Sequence, residues 1–319
     1  MTANSIVLPV ISGSSFTHIL LLVVIVAAVV FFLSKKRNLP PGPWIPIPYI
    51  GFAPNIAYAL YKGESLYKFL VKLGNKYGQV FSFTVLGIPV VVLNDYKAIR
   101  EAFQDTKLSD RGGSDMIIKA VGRSSGTDTS SATLRWGSQY LVRYPQVQDR
   151  IHREVDMVVG RSRLPKLADK QNLPYTQAVI AELHRIISLV PLSLFHVAGD
   201  TTTFRGYTIP RNSVVISNLY AVMHSPELWG DPEEFRPERF LDDEGNFREP
   251  DEVIPFGVGR RVCLGEALAR QELFIFFTHL LHQFNFEKTS VDAPMPTLKP
   301  IDGVVTHPEP YKLRFIKRE

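Results

Sequence analysis

The sequence predicts a mainly α-helical protein with small β-sheets. Apolar residues recur at helical spacing through the stretch leading to Pro191 and again over residues 265–284. Two alternating apolar and polar runs meet at Gly87, as the strands of a hairpin do. Beyond Pro191, short strand-length runs are separated by turns such as Gly206-Tyr207-Thr208-Ile209-Pro210-Arg211-Asn212. A hydrophobic content of 45% in 319 residues is enough for a sizeable core.

Taken in order, residues 19–33 form an unbroken apolar run that ends at Ser34-Lys35-Lys36-Arg37. With residues 16–18 it reaches the length a bilayer needs. The cations follow the run instead of preceding it, which argues against a cleavable signal peptide. They also place the body of the protein on the cytosolic side. Residues 1–34 are therefore read as an N-terminal membrane anchor in contact with lipid. Residues 35–45 are a basic, proline-rich linker, Leu39-Pro40-Pro41-Gly42-Pro43-Trp44, too stiff for helix or sheet.

Residues 65–76 carry Leu66, Phe69, Leu70 and Leu73 on one helical face. Residues 79–87 and 88–95 read as a hairpin, 96–104 as a short helix, and 294–318 as loops and strands. Residues 265–284 read as a helix with apolar Leu273, Phe274, Phe276, Phe277 and Leu280.

The formal charge of +5 is spread along the chain with no block of five or six basic residues, which argues against a nucleic-acid partner. One cysteine excludes a disulfide framework. That cysteine, Cys263, sits in Phe256-Gly257-Val258-Gly259-Arg260-Arg261-Val262-Cys263-Leu264-Gly265, just before a predicted helix. The ligating form of cysteine is the thiolate, which neighbouring cations and helix N-termini favour. Glycines let the backbone come close to something flat. Arg261 is placed for a forked hydrogen bond to a carboxylate such as a haem propionate. The loop reads as a haem-thiolate site, with Cys263 as the metal ligand and Phe256, Gly259 and Arg261 around the cofactor.

The spacing Phe-x-x-Gly-x-x-x-Cys-x-Gly resembles the haem loop of the cytochrome P-450 superfamily, and the Pro-Pro-Gly-Pro linker resembles its microsomal, family-2-like members. Glu182-Leu183-His184-Arg185, weak alone, is followed by Pro237-Glu238-Arg239-Phe240. In that family such segments form a buried charge cluster, so Glu182, Arg185 and Arg239 are carried over as structural. Ser125-Gly126-Thr127-Asp128-Thr129-Ser130 resembles the oxygen-activation motif, with Ser125 where alanine is usual. The resemblance gives Asp128 and Thr129 the catalytic role of proton relay, although serine, threonine and aspartate are also ordinary helix caps. His196 is carried over as a propionate contact, and residues 190–195 and 301–305 as substrate contacts.

The resemblance implies a cytochrome P-450 fold and a haem-thiolate monooxygenase. Such an enzyme inserts one oxygen atom from O2 into an apolar drug, steroid or fatty acid. Electrons come from NADPH through NADPH-cytochrome P-450 reductase, with cytochrome b5 as a second donor. The place implied is the endoplasmic reticulum membrane, single-pass, with the catalytic domain cytosolic.

The resemblance breaks near residues 122–125, where family members carry several further helices. One of these bears a Trp-x-x-x-Arg pair. Here Trp44, Trp136 and Trp229 are followed four residues on by Pro48, Tyr140 and Glu233. Residues 46–319 are thus expected to be an incomplete domain lacking internal helices. The alternative function is a catalytically inactive, membrane-tethered truncated isoform that does not bind haem properly.

Overall fold

The computed structural model describes residues 18, 20–26, 38–43, 50–110 and 126–319. Residues 18 and 20–26 are helical and exposed, while the rest of the proposed anchor lies outside the described residues. Among the described residues, no helix is long and apolar enough to cross a membrane. The junction near residues 122–125 also lies outside them.

The first half holds α1 (Ala53–Tyr61), α2 (Leu66–Tyr77), β1 (Val80–Val85), β2 (Ile88–Leu93) and α3 (Tyr96–Gln104). The β1–β2 hairpin turns through Leu86 and Gly87, whose φ values are 49° and 80°. Two successive positive φ values match a primed turn and the twist of the strands. Glycine takes this conformation freely, whereas leucine does so at some strain. Asp95 starts α3 by accepting from the backbone N–H groups of Lys97 and Ala98 at 2.9 and 3.3 Å. Leu70 is fully buried in α2, with Leu66, Phe69 and Leu73 packed beside it against Phe52, Phe81 and Phe83.

The second half begins with three helices, α4 (Gly126–Arg143), α5 (Pro145–Val159) and α6 (Pro174–Ile187). The short strands β3 (His196–Val197), β4 (Thr202–Phe204), β5 (Tyr207–Ile209) and β6 (Val214–Ser217) follow, then helices α7 (Leu219–Met223) and α8 (Pro226–Trp229). Next come α9 (Glu266–Gln283), β7 (Phe284–Lys288), β8 (Pro300–Ile301), β9 (His307–Pro308) and β10 (Leu313–Lys317). The larger sheet has the order β1-β2-β6-β3, with β2 and β6 parallel and Val90 opposite Val214. The parallel pairing brings the middle of the second half against the first. Mainly helical architecture with small sheets agrees with the sequence reading.

Helices α4, α5, α6 and α9 pack around Trp136, Tyr140, Ile151, Val155, Leu183, Leu273, Phe274, Phe277 and Leu281. In α9 the 3.6-residue period turns Leu273, Phe277 and Leu281 inward, while Phe276 faces outward and is exposed. Helices α4 and α9 meet at Gly137, where an added Cβ would lie 2.1 Å from Phe277 Cζ and 2.5 Å from its Cε1. Gly137→Val is therefore expected to overpack this crossing and cost about 1–3 kcal/mol. A lower urea midpoint with unchanged slope checks this, and an unchanged midpoint would refute the tight crossing.

Below this bundle lies the charge cluster expected from the sequence. Arg185 donates to Glu182 through Nε at 2.6 Å and Nη2 at 2.9 Å. Arg239 Nε donates to Glu182 Oε1 at 3.2 Å, and the Arg236 backbone N–H donates to the same oxygen at 2.9 Å. The remaining Arg185 hydrogens go to the carbonyls of Met223 and Pro232, both at 2.8 Å, and of Glu234 at 3.3 Å. The side chains of Glu182 and Arg185 are completely buried, and the cluster satisfies both.

Candidate functional site

Cys263 lies just before α9, after a 3₁₀ turn at Gly259–Arg261. Its backbone N–H donates to the Phe256 carbonyl at 2.9 Å, closing the loop. Gly259 has a φ of 77°, and an added Cβ would lie 2.7 Å from the Phe103 carbonyl oxygen. Only glycine lets the loop turn this way while resting on the end of α3. The thiol is exposed. Near it in sequence, Val262, Leu264 and Leu268 are exposed, at 43%, 102% and 61%.

Arg261 Nε donates to the Ser109 carbonyl at 2.6 Å, and its Nη2 lies 4.0 Å from Asp110 Oδ1. On the other side of this segment, the Val197 N–H donates to the Asp110 carbonyl at 2.9 Å. His196 is buried in β3, with its ring centroid 4.3 Å from that of Phe103. Phe103 and Ser109–Asp110 thus bring His196 to the Gly259–Arg261 turn, although more than 60 residues separate them in sequence. Phe256 is half-buried, with the His184 ring edge-on at 5.4 Å and the Arg270 guanidinium over its face at 5.1 Å. Arg270 is held there by Glu266 at 2.9 Å and Glu249 at 3.1 Å.

Asp128 and Thr129 stand in the first described turn of α4. Thr129 Oγ1 donates to the Gly126 carbonyl at 2.9 Å, Ser131 Oγ to Asp128 at 3.0 Å and Thr133 Oγ1 to Thr129 at 3.0 Å. Hydroxyls that bond back to the helix compete with its own ladder and loosen it. Ser125 lies outside the described residues. Ser130, the residue after Thr129, donates through Oγ to Glu272 of α9 at 3.3 Å, joining this end of α4 to the helix that follows Cys263.

A haem would need a thiolate, donors for its acidic groups and an apolar wall. The thiolate side fits: Cys263 is exposed, exposed apolar Val262 and Leu264 flank it in sequence, and Arg261 stands two residues away. A cleft beside His184, lined by Lys170, Gln177, Glu249, Arg270 and Phe274, encloses about 40 Å³. It has room for one or two waters and none for a macrocycle. The two described tryptophans are engaged elsewhere, Trp136 Nε1 donating to the Thr306 carbonyl at 3.1 Å and Trp229 Nε1 to the Val222 carbonyl at 2.9 Å.

Sequence reading missed two neighbours of these residues. Arg270 stands four residues after Glu266 on α9, a spacing that marks a helix-face pair. His307, whose Nε2 lies 3.7 Å from Asp128 Oδ2, gave no signal, because 179 residues separate the two.

Burial also makes this region sensitive to acid. Burial, reinforced by Arg270, lowers His184 from 6.5 to about 3. Burial and Arg185 lower His224 from 6.5 to about 3, and burial and Arg318 lower His152 to about 4. The unfolded chain takes up these protons below pH 6.5 and the folded chain does not. Stability is thus fully present above about pH 7 and falls as pH drops towards 4, by about 1.4 kcal/mol per unit for each histidine. Urea midpoints between pH 7.5 and 5 are expected to fall steeply, and His224→Gln is expected to flatten the slope.

The family model for cytochrome P450 matches residues 40–120 and 124–315. Among curated proteins, the chain is 45% identical to cytochrome P450 2C23 of Rattus norvegicus over 194 residues, 60% of this chain and 39% of that one. It is 40% identical to cytochrome P450 2U1 of Homo sapiens over 193 residues, 60% of this chain and 35% of that one. With cytochrome P450 2E1 of Bos taurus the identity is 44% over 194 residues, 60% of this chain and 39% of that one. The chain spans about two fifths of the length of the relatives it matches. These relatives are family-2 members, and the family's cofactor is haem with an axial thiolate. On the matched residues and the loop around Cys263, the chain belongs to the cytochrome P450 family.

Proposed function

We propose that this chain is a haem-thiolate monooxygenase whose iron ligand is Cys263. The observation that carries the reading is the Cys263 loop, folded back on Phe256, with an accessible sulfur and Arg261 beside it. When bound, haem would supply the activation of dioxygen, which an axial thiolate favours. Arg261 would hold an acidic group of the cofactor through hydrogens not given to Ser109. His196, Phe256 and Gly259 would shape the same wall. Asp128 and Thr129 would carry protons in the first described turn of α4. Residues 190–195 and 301–305 would face an apolar substrate of the drug, steroid or fatty-acid class.

Electrons would come from NADPH through a flavin reductase, with cytochrome b5 as a second donor. Residues 1–34 would tether the protein to the endoplasmic reticulum membrane, with residues 46–319 in the cytosol. The helices missing near residues 122–125 would leave the domain incomplete.

The exposed apolar residues Val262, Leu264 and Leu268 support a second reading, a tethered chain that does not retain haem. The carbon monoxide difference spectrum of the reduced protein in membranes, with haem supplied, separates the two. A thiolate-type Soret band supports the enzyme, and its absence from folded protein leaves the second reading.

A further inference from the structure

We propose that His307 is the positioning residue for Asp128, holding its carboxylate in one orientation in the first described turn of α4. This rests on the monooxygenase reading. His307 Nε2 lies 3.7 Å from Asp128 Oδ2, and both side chains are partly exposed. An exposed ion pair contributes little stability, about 0–1 kcal/mol, so holding the fold is a poor explanation for this one.

The backbone around His307 is already fixed by other bonds. The Thr306 N–H donates to the Leu189 carbonyl at 2.8 Å, and Trp136 Nε1 donates to the Thr306 carbonyl at 3.1 Å. Arg135 Nη2 donates to the Pro308 carbonyl at 3.4 Å, and Tyr311 Oη donates to the Arg135 carbonyl at 2.6 Å. In register, His307 pairs with Ile301 across the β8–β9 hairpin. The strand is thus anchored to α4 two turns beyond Asp128, and it presents one imidazole to one carboxylate. An acid that served only the helix dipole would need no such partner.

The test compares His307→Gln, His307→Lys, Asp128→Asn and the Gln/Asn double variant in the full chain. In haem-loaded protein with reductase, His307→Gln is expected to raise hydrogen peroxide released per NADPH about threefold. It is also expected to lower kcat for a 7-ethoxycoumarin probe about tenfold with little change in KM. His307→Lys, which keeps an N–H donor facing the carboxylate, is expected to recover most of both. In the Asp128→Asn background, His307→Gln is expected to add nothing further. Multiplying effects of the two substitutions, or an unchanged peroxide fraction, would overturn the proposal.

Hydrogen exchange of the first turn of α4 needs neither haem nor turnover. Each single variant is expected to speed exchange there, and the double variant no more than either. Additive or absent changes would overturn the pairing. If the thiolate band is missing while exchange stays non-additive, the monooxygenase reading fails and the pairing stands.

Discussion

Glu182→Ala is expected to unfold the domain or lower its stability by about 3–5 kcal/mol, the cost of stranding buried charge. Glu182 receives two hydrogen bonds from Arg185, one from Arg239 and one from the Arg236 backbone, with no side-chain surface left to water. Removing it leaves Arg185 cationic and enclosed, still tied to the Met223 and Pro232 carbonyls but with no counter-ion. Arg150→Ala provides the contrast, since Arg150 meets Glu238 at 2.9 Å with both side chains about half exposed. That loss is expected to cost less than about 1 kcal/mol. Urea denaturation of the two variants against the parent checks the pair. Equal midpoints would show that the cluster is dispensable.

Cys263→Ala is expected to abolish any thiolate-type Soret band without lowering stability. The sulfur is exposed, and the loop is closed by the Cys263 backbone N–H, which alanine keeps. Ligation and folding are therefore separable at this position, unlike at Glu182. A variant with the parent's urea midpoint and no band assigns the ligand. A band that persists would remove Cys263 from the iron.

The elements of the first half were legible because their signals are local. Residues 96–104 are a helix as read, and the hairpin turns at Leu86–Gly87 where the alternation breaks. The charge cluster was legible only through resemblance, since an acid and an arginine three apart are usually surface neighbours. Phe276 shows the limit on packing: it shares an apolar run with Phe277, yet it points outward. Run composition alone does not tell which face of a helix meets a neighbour.

The candidate site divides along the same line. The Cys263 loop was legible in the sequence, because the candidate ligand, the glycine turns and the cations lie within ten residues. The hydroxyl-rich start of α4 was likewise legible. Only the tertiary structure decided that Gly259 rests on Phe103, and that Arg261 and His196 meet across Ser109–Asp110. It also decided that His307 faces Asp128. Contacts within a turn follow from backbone geometry that neighbouring residues dictate. Contacts across 90 to 180 residues follow from which apolar faces bury one another, a property of the whole chain.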